Sequence, residues 1–133
     1  MDAGMYREQI IDLYEHPLNY GHLEQPDFTY EEDNPLCGDV IRIDVRLDEQ
    51  QRVAEVLWSG DGCAISQAAA SLLTEEIKGQ TLAEVKAFSS ERLLELVGVP
   101  LSMARVKCAL LSLKVLKAGA YGIPDPSDMR HHE

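Results

Sequence analysis

The sequence predicts an α+β fold, a small antiparallel sheet of about three strands with helices packed on one face. Three observations carry that expectation. VIRIDVRLD alternates branched apolar residues with Arg42, Asp44 and Arg46 in the period of a half-buried strand. RVAEVLW follows after the polar turn DEQQ as its hairpin partner. From Ala64 onward the chain reads as a succession of helices, so strands and helices are segregated rather than alternating.

Taken in order, MYREQIIDLYE sets Tyr6, Ile10, Leu13 and Tyr14 at helical spacing, and His16 with Pro17 closes this opening helix. His16 then sits where an imidazolium would favour the negative end of the helix dipole, which is a helix-end role rather than a ligand role. DFTYEED has the aromatic and Thr content of an edge strand ahead of the hairpin. AISQAAASLLTEEIKG places Ile65, Ala69, Leu72, Leu73 and Ile77 on one side of a helix that stops at Gly79. TLAEVKAF and SERLLELV are two shorter helices opened by Thr81 and by Ser89 or Ser90, the second broken by Gly98 and Pro100. MARVKCALLSLKVLKA is the last, with Val106, Leu110, Leu113 and Leu116 on its stripe, and GAYGIPDP is expected to end all regular structure.

At 133 residues the chain fits one domain, 1–133, large enough to bury a core without disulfides. Twelve Lys and Arg against 23 Asp and Glu leave a formal net charge of −11, which repels phosphate backbones and anionic lipid, so neither nucleic acid nor membrane is an expected partner. No apolar run approaches the ~20 residues of a membrane span, and the opening MDAGMYREQ lacks signal-peptide order. A cytoplasmic location is expected. Whether the chain forms homo-oligomers stays open.

Three cysteines are too few for a secreted disulfide framework, which leaves thiolate chemistry, metal binding or inert burial. Their surroundings favour the first two. Cys37 lies in NPLCGD among turn formers, outside any apolar period. Asp39 adds a hard carboxylate oxygen beside that soft sulfur, a mixed set that Zn(II) or Fe(II) accepts, although a turn-capping aspartate reads the same way. Cys63 ends the turn GDGC directly before a helix, where free N–H groups and the dipole favour thiolate; Asp61 in that turn reads as structural. Cys108 has the cations Arg105 and Lys107 beside it, which also depress a thiol pKa, or else it is a small core residue like Ala109. Three thiols and one carboxylate make the four ligands of a closed tetrahedral site without any histidine. His131 and His132, in the terminal tail, are poor candidates.

Taken together and in order, NPLCGD, GDGCAIS and ARVKCALL resemble the three motifs of the iron–sulfur cluster assembly family called IscU, NifU N-terminal domain or SufU. YREQIIDLYEHPLNYGHL resembles that family's opening helix and loop, so the likeness spans nearly the whole chain. The resemblance implies that Cys37, Cys63 and Cys108 are the ligand cysteines and Asp39 the motif aspartate. It implies zinc or a [2Fe–2S] or related cluster at that site, with Arg105 and Lys107 next to it. Cluster-scaffold members have a histidine where this chain has Lys107; a protonated Lys ligates poorly, so the fourth place passes to Asp39, as in SufU-like proteins with their R-x-K-C pattern. The insertion usual in SufU proteins before the third motif has little room here, and VPLSMARVK stands where IscU proteins carry the LPPVK chaperone segment. The implied partners are a cysteine desulfurase, as sulfur donor, and apo iron–sulfur or carrier proteins. The implied activity is cluster assembly or sulfur relay. A zinc-dependent sulfurtransferase that holds no cluster, with Cys37 as acceptor, and a structural zinc domain are the alternatives.

Overall fold

In the computed structural model, which describes residues 3–35 and 38–123, the elements run α1 (Ala3–Glu15), β1 (Phe28–Asn34), β2 (Asp39–Leu47), β3 (Val53–Asp61), α2 (Ala64–Glu76), α3 (Leu82–Ala87), α4 (Ser90–Val97) and α5 (Met103–Tyr121). The predicted class and element order both hold. The three strands form one antiparallel sheet in the order β1-β2-β3, with DFTYEED supplying the edge. Ile41, Ile43 and Val45 alternate onto the helix side with Val56 and Trp58, and all five are buried. Asp39 is in phase with them and is likewise buried, so the sheet aims a carboxylate at the helices. Among the described residues no helix is long and apolar enough to cross a membrane.

β3 extends beyond the expected Trp58 because Ser59, Gly60 and Asp61 go on pairing with Arg42, Ile41 and Val40. The strand thus delivers the chain straight into the GDGC turn. Gly60 makes the extension feasible, since a Cβ there would lie 2.0 Å from the Val40 carbonyl oxygen. Helix starts follow the capping logic. Thr81 and Glu84 form a capping box, Ser89 caps α4, and Ser102, a cap the sequence pattern did not single out, opens α5.

α5 departs from expectation twice. Its buried residues are Cys108, Ala109, Leu111, Ser112, Leu113, Val115, Leu116, Gly119 and Ala120, a broad band, whereas Val106 and Leu110 of the expected stripe are only half-buried. The helix packs against β1, β2, α2, α3 and α4, so a single narrow stripe cannot describe it. It also runs through Gly119 to Tyr121 instead of stopping before the glycine. Gly119 is where the helix crosses the edge strand: a Cβ there would stand 2.6 Å from Phe28 Cδ1. Beyond it the Lys86 ammonium donates to the Ile123 carbonyl at 2.8 Å, serving the negative end of the helix. Ala in place of Gly normally stabilises a helix by ~1 kcal/mol. Here Gly119→Ala is expected to lower stability by about 1–3 kcal/mol through overpacking, read from the urea midpoint; a raised midpoint would contradict the close crossing.

The segment between α1 and β1 runs along the outer edge of β3, where the Trp58 N–H donates to the Asn19 carbonyl and the Gly21 N–H to the Trp58 carbonyl, each at 2.8 Å. His16 follows the helix as expected, its N–H donating to the Asp12 carbonyl, whereas Tyr14, placed on the apolar stripe, is 46% exposed. Trp58 Nε1 donates to the Leu18 carbonyl at 2.8 Å, and Tyr20 meets the Trp58 ring edge-on at 4.9 Å. On the polar side of β2, buried Asp44 accepts from Thr29 Oγ1 at 2.7 Å, Arg42 Nε at 2.9 Å and the Leu23 N–H at 3.0 Å. Burial pushes its carboxyl up, but these hydrogen bonds and the Arg42 charge outweigh it and hold the group below its ordinary 3.8.

Candidate metal centre

Three distant segments converge at the junction of β2, β3, α2 and α5. Cys63 is the N-cap of α2, in extended conformation, and its sulfur accepts the Ser66 N–H at 3.5 Å. Cys108 lies in the second turn of α5 and is 2% exposed, so it is buried, as the packing alternative required, yet faces the same point as Cys63. Asp39, the first residue of β2, completes the group. One ligand atom from each of Asp39, Cys63 and Cys108 lies within 4.8 Å of the others.

The carboxylate also builds the turn that carries the second thiol. Asp39 Oδ1 accepts the Cys63 N–H at 2.9 Å while Oδ2 stands 3.6 Å from Cys63 Sγ. Asp39 therefore acts as a turn-capping residue while its carboxylate also lies in the group with the two thiols. Gly62 allows this approach, because a Cβ there would sit 2.4 Å from Asp39 Oδ1. Gln67 Nε2 donates to the Gly62 carbonyl at 2.9 Å, and Tyr20 OH to the Gly60 carbonyl at 3.2 Å. Gln67 is thus a support that sequence reading missed, with no local signal to mark it, whereas the glycines of the GDGC turn are read from the sequence as places of close backbone approach. Asp61 behaves as a turn residue, its Oδ1 accepting the Gly62 N–H.

Cys37 lies outside the described residues, as do His131 and His132. The strand ends on either side of its loop are described: Asn34 pairs with Asp39, and the Gly38 N–H donates to the Asn34 carbonyl at 2.7 Å. Of the two cations expected beside the thiols, Arg105 is brought to them. Negative charge on Cys63, a hydrogen bond to its sulfur, and the charges of Cys108 and Asp39 hold the guanidinium above its ordinary pKa. Lys107 is exposed and lines a groove of about 420 Å³ with Asp33, Asn34, Pro35, Leu110, Leu111 and Lys114.

The donor set fits a divalent metal of borderline softness. Zn–S of ~2.3 Å and Zn–O of ~2.0 Å at a tetrahedral angle put sulfur and oxygen about 3.5 Å apart. The Asp39 to Cys63 separation of 3.6 Å meets that spacing. Two thiols and a carboxylate leave one tetrahedral place open, and the chain carries Cys37 two residues from Asp39.

Comparison with known proteins agrees with this geometry. Residues 5–125 match the family described as NifU-like N terminal domain. The chain is 36% identical over 132 residues to a zinc-dependent sulfurtransferase SufU of Bacillus subtilis, covering 86% of this chain and 88% of that one. It is 32% identical over 116 residues to an iron–sulfur cluster assembly scaffold protein IscU of Haemophilus influenzae, covering 85% and 90%. A crystal structure of an N-terminal NifU-like protein from Brucella abortus superposes with a TM-score of 0.71 at 19% identity, covering 96% of each chain, which is a likeness of fold.

Proposed function

This chain belongs to the NifU-like N-terminal domain family, and from that premise we propose that it is an iron–sulfur cluster assembly protein, receiving sulfur from a cysteine desulfurase and assembling or relaying it for apo-proteins. The observation that carries the reading is the convergence of Asp39, Cys63 and Cys108 within 4.8 Å. Cys37 is the fourth member of the ligand set. A zinc ion held there would keep the thiolates ionised and gathered, and iron and sulfide arriving at the same thiolates are cargo.

The residues have separate tasks. Cys63 sits at the amide end of α2, where its sulfur accepts the Ser66 N–H, and beside Arg105, which hydrogen-bonds the same sulfur. Asp39 is the harder, more exchangeable donor, and because it also holds the Cys63 N–H it couples the ligand set to the turn. In sulfur transfer a thiolate attacks the outer sulfur of the donor's persulfide, a new S–S bond forms, the donor's S–S bond breaks, and the donor cysteine leaves as thiolate.

Zinc as resident and an iron–sulfur cluster as cargo make different demands. The zinc-dependent sulfurtransferase reading draws on Asp39 gathered with the two thiols and on Lys107, a poor ligand when protonated, standing before Cys108. Metal analysis of protein purified with and without oxygen tests the site. We expect one metal ion or one cluster per chain, lost in Cys63→Ser; visible absorption after anaerobic addition of iron, cysteine and desulfurase identifies a cluster. Wild-type protein that retains neither zinc nor iron would refute the reading.

A further inference from the structure

Serine and threonine within helices ordinarily hydrogen-bond a carbonyl one turn back or another nearby group. Thr74 does so, donating to the Ala70 carbonyl at 2.7 Å. The Ser71 hydroxyl accepts the Leu18 N–H at 3.1 Å. Ser66 and Ser112 do neither: both are 0% exposed, and the hydroxyl of each has no hydrogen-bond partner among the described residues. A buried hydroxyl left so costs about 1–3 kcal/mol, and a fold does not usually keep two without use.

Their positions indicate the use. Ser66 follows Cys63 by one turn at the start of α2, and Ser112 follows Cys108 by one turn on α5, each on its cysteine's side of the helix. Helical side chains lean toward the N-terminus, so each hydroxyl leans toward the turn that carries a ligand sulfur. The Ser66 N–H already reaches Cys63 Sγ at 3.5 Å.

We propose that the hydroxyls of Ser66 and Ser112 are hydrogen-bond donors reserved for the sulfurs of the loaded site, Ser66 serving Cys63 and Ser112 serving Cys108. This rests on the metal reading above. A metal-bound thiolate keeps lone pairs that accept O–H, and such outer hydrogen bonds orient the ligand; their loss typically costs 10–100-fold in metal affinity. Both are positioning residues. They make the metal-free protein carry a polar mismatch between α2 and α5 that loading relieves.

The proposal makes two effects of one substitution run in opposite directions. Full-length Ser66→Ala, Ser112→Ala and the double variant are compared with wild type, with Ser71→Ala as the structural control. Zn²⁺ release to a chelator and the sulfur-to-Co²⁺ charge-transfer band of Co²⁺-loaded protein report on the site, and thermal melting of metal-free protein reports on the fold. We expect each single variant to melt, metal-free, at or above wild type, to release Zn²⁺ about tenfold faster or more, and to shift the Co²⁺ band. Ser71→Ala should lower the melting temperature and leave the band in place. Unchanged release and an unchanged band in both single variants would overturn the proposal, as would metal-free variants that melt well below wild type. Wild-type protein that binds neither ion would overturn the metal reading and this proposal with it, whereas metal-binding wild type with unaffected variants overturns this proposal alone.

Discussion

Incubated with a cysteine desulfurase and cysteine, the protein is expected to carry its persulfide on Cys37, and Cys37→Ser to reduce labelling to that of a reaction without desulfurase. The described part of the site supports that choice by what ties down the other two thiols. Cys108 is 2% exposed, within α5, so an incoming persulfide could reach it only if the helix moved. Cys63 caps α2 through the Ser66 N–H, and drawing its sulfur away forfeits a cap of ~1 kcal/mol as well as its bond to Arg105. By sequence Cys37 falls between Asn34 and Asp39, whose pairing is described, and outside any helix, so a thiol there is expected to move without unwinding one. Mass spectrometry of wild type and of each Cys→Ser variant locates the sulfur. Persulfide that survives Cys37→Ser and vanishes in Cys108→Ser would move the acceptor to α5.

Far from the thiols, Asp44→Ala is expected to destabilise the fold by roughly 3 kcal/mol, because removing one partner of a buried ion pair strands the rest. Asp44 is 1% exposed and is the common acceptor for Thr29, Arg42 and Leu23, with His22 Nδ1 at 3.8 Å. Losing it frees the segment before β1 from the outer side of the sheet. The same group makes a pH prediction. Its carboxyl titrates lower in the folded protein than its ordinary 3.8, so its contribution is fully present above 3.8 and disappears as pH falls through the lower, folded value. The stability difference between wild type and Asp44→Asn should therefore be flat near neutrality and shrink below 3.8, read from urea midpoints across a pH series. A difference that grows in acid would mean that the carboxylate is not what these donors stabilise.

Secondary structure was legible wherever a short-range period expressed it. The alternation of VIRIDVRLD gave the strand and its buried side, and extending that period back by one step already places Asp39 on the buried side. The cap residues Thr81 and Ser89 marked helix starts for the same local reason. α5 resisted, because a helix packed on several sides has no single apolar stripe to read, and Gly119 looked like a stop when it is a crossing point.

By itself, then, the sequence determined the order of the elements, the class of fold and the chemical identity of the candidate ligands, since periodicity, turn residues and the surroundings of each cysteine are properties of short stretches of chain. Tertiary structure alone decided that residues as far apart as Asp39, Cys63 and Cys108 meet within 4.8 Å, that Arg105 is brought to them, and that two buried hydroxyls, each one turn beyond a cysteine, have no partner among the described residues. Such facts depend on which buried faces pack together across long separations, and side-chain burial and partnership exist only once that packing is complete.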